Sequence, residues 1–305
     1  LIYNCFGANI DDINKNNHVK DLGMVRGIYT AASGMMTQRH RLDVIANNLA
    51  NIDLTGFKKD LSIQRAFPEL LIRRLNDDGL YKFPKGYLEI APVVGKLGVG
   101  VEENEIYTSF AQGPIKITGN PLDLALTDVG FFVVQTPEGE RYTRNGSFTL
   151  GREGILVTKD GYPVIGEKGY VYLKDNNFKI IDGGKIFHNA TFEGNPKRLV
   201  SEHENSWENY ELLDTLRIVN FEKPRFLRKQ GSSLWNRTEV SGEAKDVTMD
   251  LRPKIKTGAL EGSNVNAINE MVLMIEVNRA YEANQKTIQT EDALLGKLIN
   301  EIGKF

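Results

Sequence analysis

Apolar positions follow a helical rhythm at the two ends of the 305-residue chain and a strand rhythm in its middle. Over about Val25 to Ile52, Ile28, Ala31, Met35, Leu42, Ile45, Leu49 and Ile52 keep three–four spacing, the mark of a heptad seam. Gln38 is the polar member of that seam, and one polar residue there can fix register at some cost in stability. Gly56, after Thr55, is expected to close the helix, because glycine readily takes the left-handed conformation of a helix C-terminus. At the other end, Ala267, Met274, Tyr281, Ile288, Leu295 and Ile302 recur at strict seven-residue intervals. Met271, Val277, Ala280, Leu294, Leu298 and Ile299 widen the stripe. The pattern predicts a helix from about Asn266 to Ile302, about 55 Å long at about 1.5 Å per residue. Gly296 is its one internal breaker, and such length suggests a coiled coil or bundle.

From Gly119 to about Gly169, short apolar runs alternate with turn signals. Phe131 to Val134 reads as a strand, followed by turns at Pro137-Glu138-Gly139, Asn145-Gly146, Arg152–Gly154 and Asp160-Gly161. Strand-like pieces continue at Tyr170–Leu173, Phe178–Ile181 and Leu216–Phe221, and the polar residues 195–212 read as an insertion. This turn frequency predicts a meander or small barrel-like domain.

The expected fold class is α+β. N- and C-terminal helices pair as a coiled-coil-like domain, into which a mainly antiparallel β domain is inserted. The expected parts are a terminal helical domain of residues 24–60 plus 262–305, extended connectors at 61–118 plus 240–261, and a central β domain at 119–239. Residues 1–23 are Asn- and Asp-rich and aperiodic, and are expected to form a flexible extension. Met24, directly before the helical pattern, is the expected natural start, with a genuine flexible arm as the alternative.

Composition narrows the function classes. Hydrophobic residues make up 41% and charged residues 26%, the balance of a globular chain. The net charge is −2 and there is no basic stripe, so binding to nucleic acid through phosphate neutralisation is not favoured. Cys5 alone excludes an internal disulfide framework. No apolar run approaches the ~18 residues that span a bilayer, so membrane insertion is not expected. The first thirty residues lack a basic start followed by an apolar core, so export, if any, is expected to take a route other than an ordinary secretory signal.

Catalytic and cofactor patterns are missing. His18, His40, His188 and His203 stand isolated, without metal-ligand spacing. Gly98-Val99-Gly100 has Glu103 where a dinucleotide fingerprint needs its third glycine. There is no Gly-x-Ser-x-Gly elbow and no phosphate loop. No cofactor is expected.

The stretch Leu42–Asp60 carries Asn47, Asn48 and Asn51, and Val44 to Ile52 has no charged side chain. With Leu42 and Leu49 on the seam, Asn47 and Asn51 fall on the outer side and Asn48 flanks the seam. A solvated helix normally carries Glu and Lys there. Burying a hydrogen-bonded amide costs much less than burying an ion, so the outer side is expected to pack against neighbouring molecules. The alternative is an ordinary helix with a neutral exterior.

The same residues carry a family resemblance. Ser33-Gly34, Leu42, Ala46 to Asn51 and Thr55 to Lys58, within Gly27–Asp60, resemble the N-terminal signature of bacterial flagellar rod and hook proteins. Gly258–Gly303 is similar to the C-terminal signature, through Ser263 to Asn266, Glu270 to Val272 and Arg279 to Asn284. Gly130–Val164 resembles the central β region of the rod proteins. Length favours a rod protein over the longer hook protein. The polar stretch around 170–212 fits neither the proximal nor the distal rod type well.

The resemblance implies a non-enzymatic structural subunit of the basal body in the periplasmic space. Copies of the chain and other rod or hook axial proteins would stack helically, transmit torque and enclose an export channel. It implies export by the flagellar type III apparatus without a cleaved signal, and surrounding basal-body rings or a bushing as further partners. Residues expected to pack between subunits are Ile28, Met35, Leu42, Ile45, Asn47, Asn48, Leu49, Asn51, Ile52, Gly56, Phe57, Met274, Tyr281, Ile288, Leu295 and Ile302. The C-terminal helix is expected to line the channel with Asn278, Asn284, Gln285, Gln289 and Asn300. Two other classes compete: a soluble β-rich binding or chaperone-like module on a coiled-coil stalk, and a wall-cutting hydrolase with its site in the central domain.

Overall fold

A computed structural model describes residues 21–73, 80–83, 86–89, 93–181, 183–192, 210–231, 233–247 and 253–302. The fold is α+β: a helix near each end, α1 (Asp21–Ala50) and α2 (Ala267–Ile302), with antiparallel strand pairs between them. The chain forms two compact units. One holds residues 1–44, 62–106 and 272–305; the other holds residues 45–61 and 107–271.

In the first unit, α1 begins at Asp21, inside the stretch that the sequence reads as an extension. The backbone of α1 at Gly27 lies against the Glu291 side chain of α2, and at Gly34 against Asn284. Both steps span one heptad, in opposite directions along the two helices. Residues 61–118, read from sequence as extended connector, hold paired strands. Asp60–Ala66 pairs with Val101–Thr108, Leu70–Arg73 with Val93–Leu97, and Leu80–Phe83 with Gly86–Glu89. These pairs nest as one antiparallel excursion. Leu70, Leu71, Ile72, Val93 and Val94 on it are exposed, so no alternation of buried and solvated residues marks the strands in the sequence.

The second unit is built on a six-stranded antiparallel sheet. Its order is Arg228–Gln230, Leu234–Asn236, Gly139–Thr143, Phe131–Thr136, Ile218–Asn220 and Lys245–Asp246. Phe131 to Val134 is buried without alternation because both sheet faces are covered. Phe132 and Val134 join a core with Leu124, Leu126, Phe148, Leu156, Ile186, Leu216 and Ile255. Phe131 and Val133 face Tyr142, Val219, Phe221, Leu227 and Trp235. Each such large apolar side chain contributes about 1.5–3 kcal/mol when fully buried. Pro137 and Glu138 form the tight turn between the two central strands.

Several boundaries differ from the sequence reading. α1 ends at Ala50 rather than Ile52, and the chain unwinds through turns in which Leu54 N–H donates to Asn51 O and Phe57 N–H to Leu54 O. Tyr170 and Tyr172 make isolated bridges to Ile165 and Ile155 rather than a strand. Residues 210–212, assigned to the polar insertion, open a strand, Tyr210–Thr215, that pairs with Lys185–Asn189. The expectation for residues 1–20, and for 195–209 within that insertion, lies outside the described residues.

Candidate functional site: the junction of the two terminal motifs

The second unit joins the segment after α1 to the segment before α2. Asn48, in the last turn of α1, is buried and holds Asp60 at both backbone atoms. Its Nδ2 donates to Asp60 O, and Asp60 N–H donates to its Oδ1, each at 2.9 Å. Asp60 in turn accepts from Thr108 Oγ1 at 2.7 Å and from Lys229 Nζ at 2.8 Å. The same ammonium sits 4.0 Å from the centre of the buried Phe57 ring, a cation–π contact.

Gly56 is left-handed, with φ +69°, as its sequence position suggested. It does not cap α1, which has already ended. A Cβ on it would stand 2.6 Å from the backbone carbonyl carbon of Arg144 and the backbone nitrogen of Asn145. Glycine is needed here for close approach as well as for backbone conformation. Beside it, Thr55 Oγ1 donates to Asn145 Oδ1 at 2.7 Å, and Gly56 N–H donates to Glu261 O at 2.7 Å.

The partner segment arrives through two strands, Ile255–Thr257 paired with Leu124–Leu126 and Ala259–Glu261 paired with Ile115–Ile117. It delivers Glu261 into the interior. Lys58 and Glu261 are both fully buried, with Nζ and Oε1 at 2.6 Å. Lys58 also donates to Ala111 O at 2.8 Å, and Gly113 N–H donates to Glu261 Oε1 at 3.0 Å. Arg144, nearly buried, brings a second cation, its Nη1 3.5 Å from Glu261 Oε2 and donating to Asp128 O at 2.7 Å. Two cations thus share one carboxylate. Burial pushes the Lys58 ammonium below the ordinary lysine value; Glu261 opposes this and Arg144 adds to it. Burial likewise lowers Arg144, against the attraction of Glu261 and Asp128. A group this desolvated is tolerated only while its counter-charge and hydrogen bonds are in place.

Asn264 completes the junction. Its Oδ1 accepts from Lys59 N–H at 2.8 Å, and its Nδ2 donates to Ser109 O and Ala111 O at 2.8 and 3.0 Å. Asn266 then caps α2, its Oδ1 accepting from the N–H groups of Ile268 and Asn269. Lys59 Nζ lies 3.6 Å from the buried Glu270 in the first turn. Most polar groups of this junction are spent on one another; among the described residues, Arg144 Nε and Glu261 Oε2 are buried without a hydrogen-bond partner, the latter facing Arg144 Nη1 at 3.5 Å. The arrangement holds two chain segments together, and its chemistry is that of a clamp.

The residues expected to pack between subunits fall into distinct settings. Ile45, Asn48, Gly56 and Phe57 are buried within the chain. Ile28, Met35, Leu42, Leu49, Asn51, Ile52, Met274, Tyr281, Ile288 and Leu295 are half-buried, and Asn47 is exposed. Ile302 ends α2, and its side chain lies outside the described set. Of the residues expected to line a channel, Asn278, Gln285, Gln289 and Asn300 are exposed, whereas Asn284 is half-buried against Gly34. The side chains that build the junction, Lys58, Arg144, Glu261 and Asn264, were not singled out from sequence by role. Lys58 and Asn264 lie in the two signature segments, but no local spacing ties either to Arg144 or Glu261. Gln38, the polar seam residue, carries a buried Oε1 with no hydrogen-bond partner among the described residues.

Both segments of the junction fall in regions that match known families. Residues 28–58 match the family described as flagella basal body rod protein. Residues 125–190 match the flagellar hook protein FlgE/F/G D1 domain, and residues 256–301 match the flagellar basal body rod FlgEFG protein C-terminal region. The flagellar basal-body rod protein FlgG of Buchnera aphidicola subsp. Schizaphis graminum is 32% identical over 278 residues, covering 90% of this chain and 99% of the relative. The FlgG of Borreliella burgdorferi is 33% identical over 278 residues, covering 90% and 97%. The flagellar basal-body rod protein FlgF of Caulobacter vibrioides is 32% identical over 285 residues, covering 92% and 100%. Likeness to FlgG and FlgF is thus of the same degree, and agreement with both over about nine-tenths of the chain establishes that it belongs to the flagellar basal-body rod protein family.

Proposed function

We propose that this chain is a structural subunit of the flagellar basal-body rod, which polymerises helically with copies of itself and with other axial proteins into a torque-transmitting shaft. The family is one of structural proteins, not enzymes, and its place is the flagellar basal body. In this reading α1 and α2 pair as a coiled-coil-like rod that forms the inner tube, and the central β domain faces outward. Heterologous contacts that do not close into a ring generate such a tube.

One observation carries the proposal. Near its start, α2 buries one side within the chain and leaves apolar residues exposed on the opposite side. Glu270 and Val277 are buried within the chain, yet Ile268, Met271, Val272 and Ile275 are 73%, 51%, 51% and 53% exposed. At 100° per residue the exposed set lies nearly opposite the buried one. A stripe of this kind is an unfilled packing surface, and a neighbouring subunit supplies what fills it. Export through the flagellar type III apparatus into the periplasmic space, with rings or a bushing around the assembled rod, completes the proposal. Purified chain should polymerise as its concentration rises, and chains lacking residues 24–60 or 262–305 should not. A full-length chain that stays a stable soluble oligomer at all concentrations would favour a binding module on a stalk instead.

A further inference from the structure

We propose that Lys58 and Glu261 form a two-ended latch: the segment after α1 and the segment before α2 dock together or leave together, as one unit that opens without unfolding the central sheet. The grounds are the charge arrangement and the separation of the polar and apolar contacts. Glu261 is the only anion within reach of both Lys58 and Arg144 among the described residues. Without it, Lys58 cannot stay buried, because its remaining partner is one backbone carbonyl, Ala111 O. Arg144 can stay, since it keeps the attraction of the Asp128 carboxylate, its hydrogen bond to Asp128 O and its position 5.4 Å from the Phe131 ring centre. Departure of Glu261 therefore expels the Lys58 segment while leaving Arg144, just past the central strand Gly139–Thr143, in place.

The reverse direction holds as well. The Lys58 segment also grips the second segment through Gly56 N–H to Glu261 O, Lys59 N–H to Asn264 Oδ1 and Asn264 N–H to Phe57 O. Losing the first segment removes those bonds and the ammonium from Glu261 at once. The large apolar clusters on both faces of the central sheet contain none of residues 55–60 or 258–266. Opening the latch therefore leaves those clusters intact, which makes it a sub-global event of lower cost than unfolding. The consequence is a mechanical coupling: the end of α1 and the start of α2 share one fastening, so neither helix root can be displaced alone.

Native-state hydrogen exchange on the full-length chain tests this. In the unaltered protein, the amides of Gly56, Lys59 and Asp60 should exchange with the same opening equilibrium and denaturant dependence as those of Gly262 and Asn264. The amides of the central strands, 131–136 and 139–143, should be slower. Glu261→Gln should accelerate Lys59 and Asp60, and Lys58→Met should accelerate Gly262 and Asn264, each on the order of a hundredfold, with the central strands unchanged. The double variant should add little to either single change. Two segments that exchange with different equilibria in the unaltered chain, or a single variant that affects only its own segment, would overturn the proposal. Equal acceleration of the central strands would also overturn it, because the junction would then be part of the global core.

Discussion

Asn48 and Asp60 exchange two hydrogen bonds, side-chain amide to backbone, each 2.9 Å long. The pair folds the end of α1 back onto the strand that follows, which sets the direction in which Phe57 and Lys58 enter the interior. Asn48→Leu fills similar space but strands the Asp60 N–H and carbonyl. We expect a loss of about 2 kcal/mol, since an unsatisfied buried polar group costs about 1–3 kcal/mol. Asn48→Asp should also destabilise, because a carboxylate can accept from the N–H but cannot donate to the carbonyl. Urea unfolding followed by tryptophan fluorescence, with Trp235 buried in the sheet, measures both.

Gly56→Ala should be far more damaging than Gly161→Ala. Both glycines are left-handed, at φ +69° and +86°, so each substitution carries a backbone penalty of about 1–2 kcal/mol. A methyl on Gly161 meets open space, whereas one on Gly56 meets the Arg144–Asn145 peptide at 2.6 Å. That peptide is backbone and cannot swing aside. The difference between the two unfolding free energies therefore isolates the close approach, and equal losses would contradict it.

Much of this architecture is legible in the sequence. The strict heptad of α2 gives that helix within one residue of its observed start, and Phe131 announces the central strand. What is not legible is long-range. Lys58 and Glu261 lie 203 residues apart, and no periodicity links them. Heptad position places Asn48 beside the seam, as a candidate for packing between subunits. Its partner is the backbone 12 residues on, which heptad position alone cannot reveal. Residues 61–118 read as extended connector, but which stretches pair is not legible, because exposed strands such as Leu70–Arg73 and Val93–Leu97 show no polar–apolar alternation. Gly56 was read for its backbone freedom, while its second role, making room for another chain segment, depends on Arg144 being there.

The buried ammonium makes stability depend on alkaline pH. Burial holds the folded-state pKa of Lys58 below its ordinary value of 10.5. Between the folded and unfolded values, the unfolded chain binds more protons than the folded one, so stability rises with pH across that window. The penalty for burying the charge is fully present below the folded value and is relieved as pH climbs through it toward 10.5. Lys58→Met should abolish this rise while lowering stability overall, since Glu261 then loses one of its two cations and keeps Arg144 and the Gly113 N–H. Unfolding midpoints of the two proteins measured from neutral to pH 10.5 give the comparison, and parallel curves would show that Lys58 titrates like a solvated lysine.

Exposed apolar residues on α2 separate folding from assembly. Ile275 and Ile299 are 53% and 68% exposed. Ile275→Asp or Ile299→Asp should change the stability of the isolated chain by no more than about 0.5 kcal/mol, as surface substitutions do. The same changes should raise the concentration needed for polymerisation steeply, because each would bury an unpaired carboxylate between subunits. Light scattering against concentration reads assembly, and chemical unfolding reads the fold. Unchanged assembly would remove these positions from the subunit interface.

The proposed channel lining yields the last prediction. Gln285 and Gln289 are exposed neutral amides one helical turn apart on α2. Unfolded cargo should slide past amides with less adhesion than past apolar or strongly charged walls. Gln285→Leu with Gln289→Leu, or both changed to Lys, should therefore slow filament growth while rods still assemble in normal numbers. Asn284 provides the contrast. It packs against the α1 backbone at Gly34, so Asn284→Leu should disturb the helix pair and reduce rod assembly itself. Filament length against time, together with rod counts from imaged basal bodies, distinguishes the two effects. Normal growth in the double glutamine variants would refute the lining role of this face.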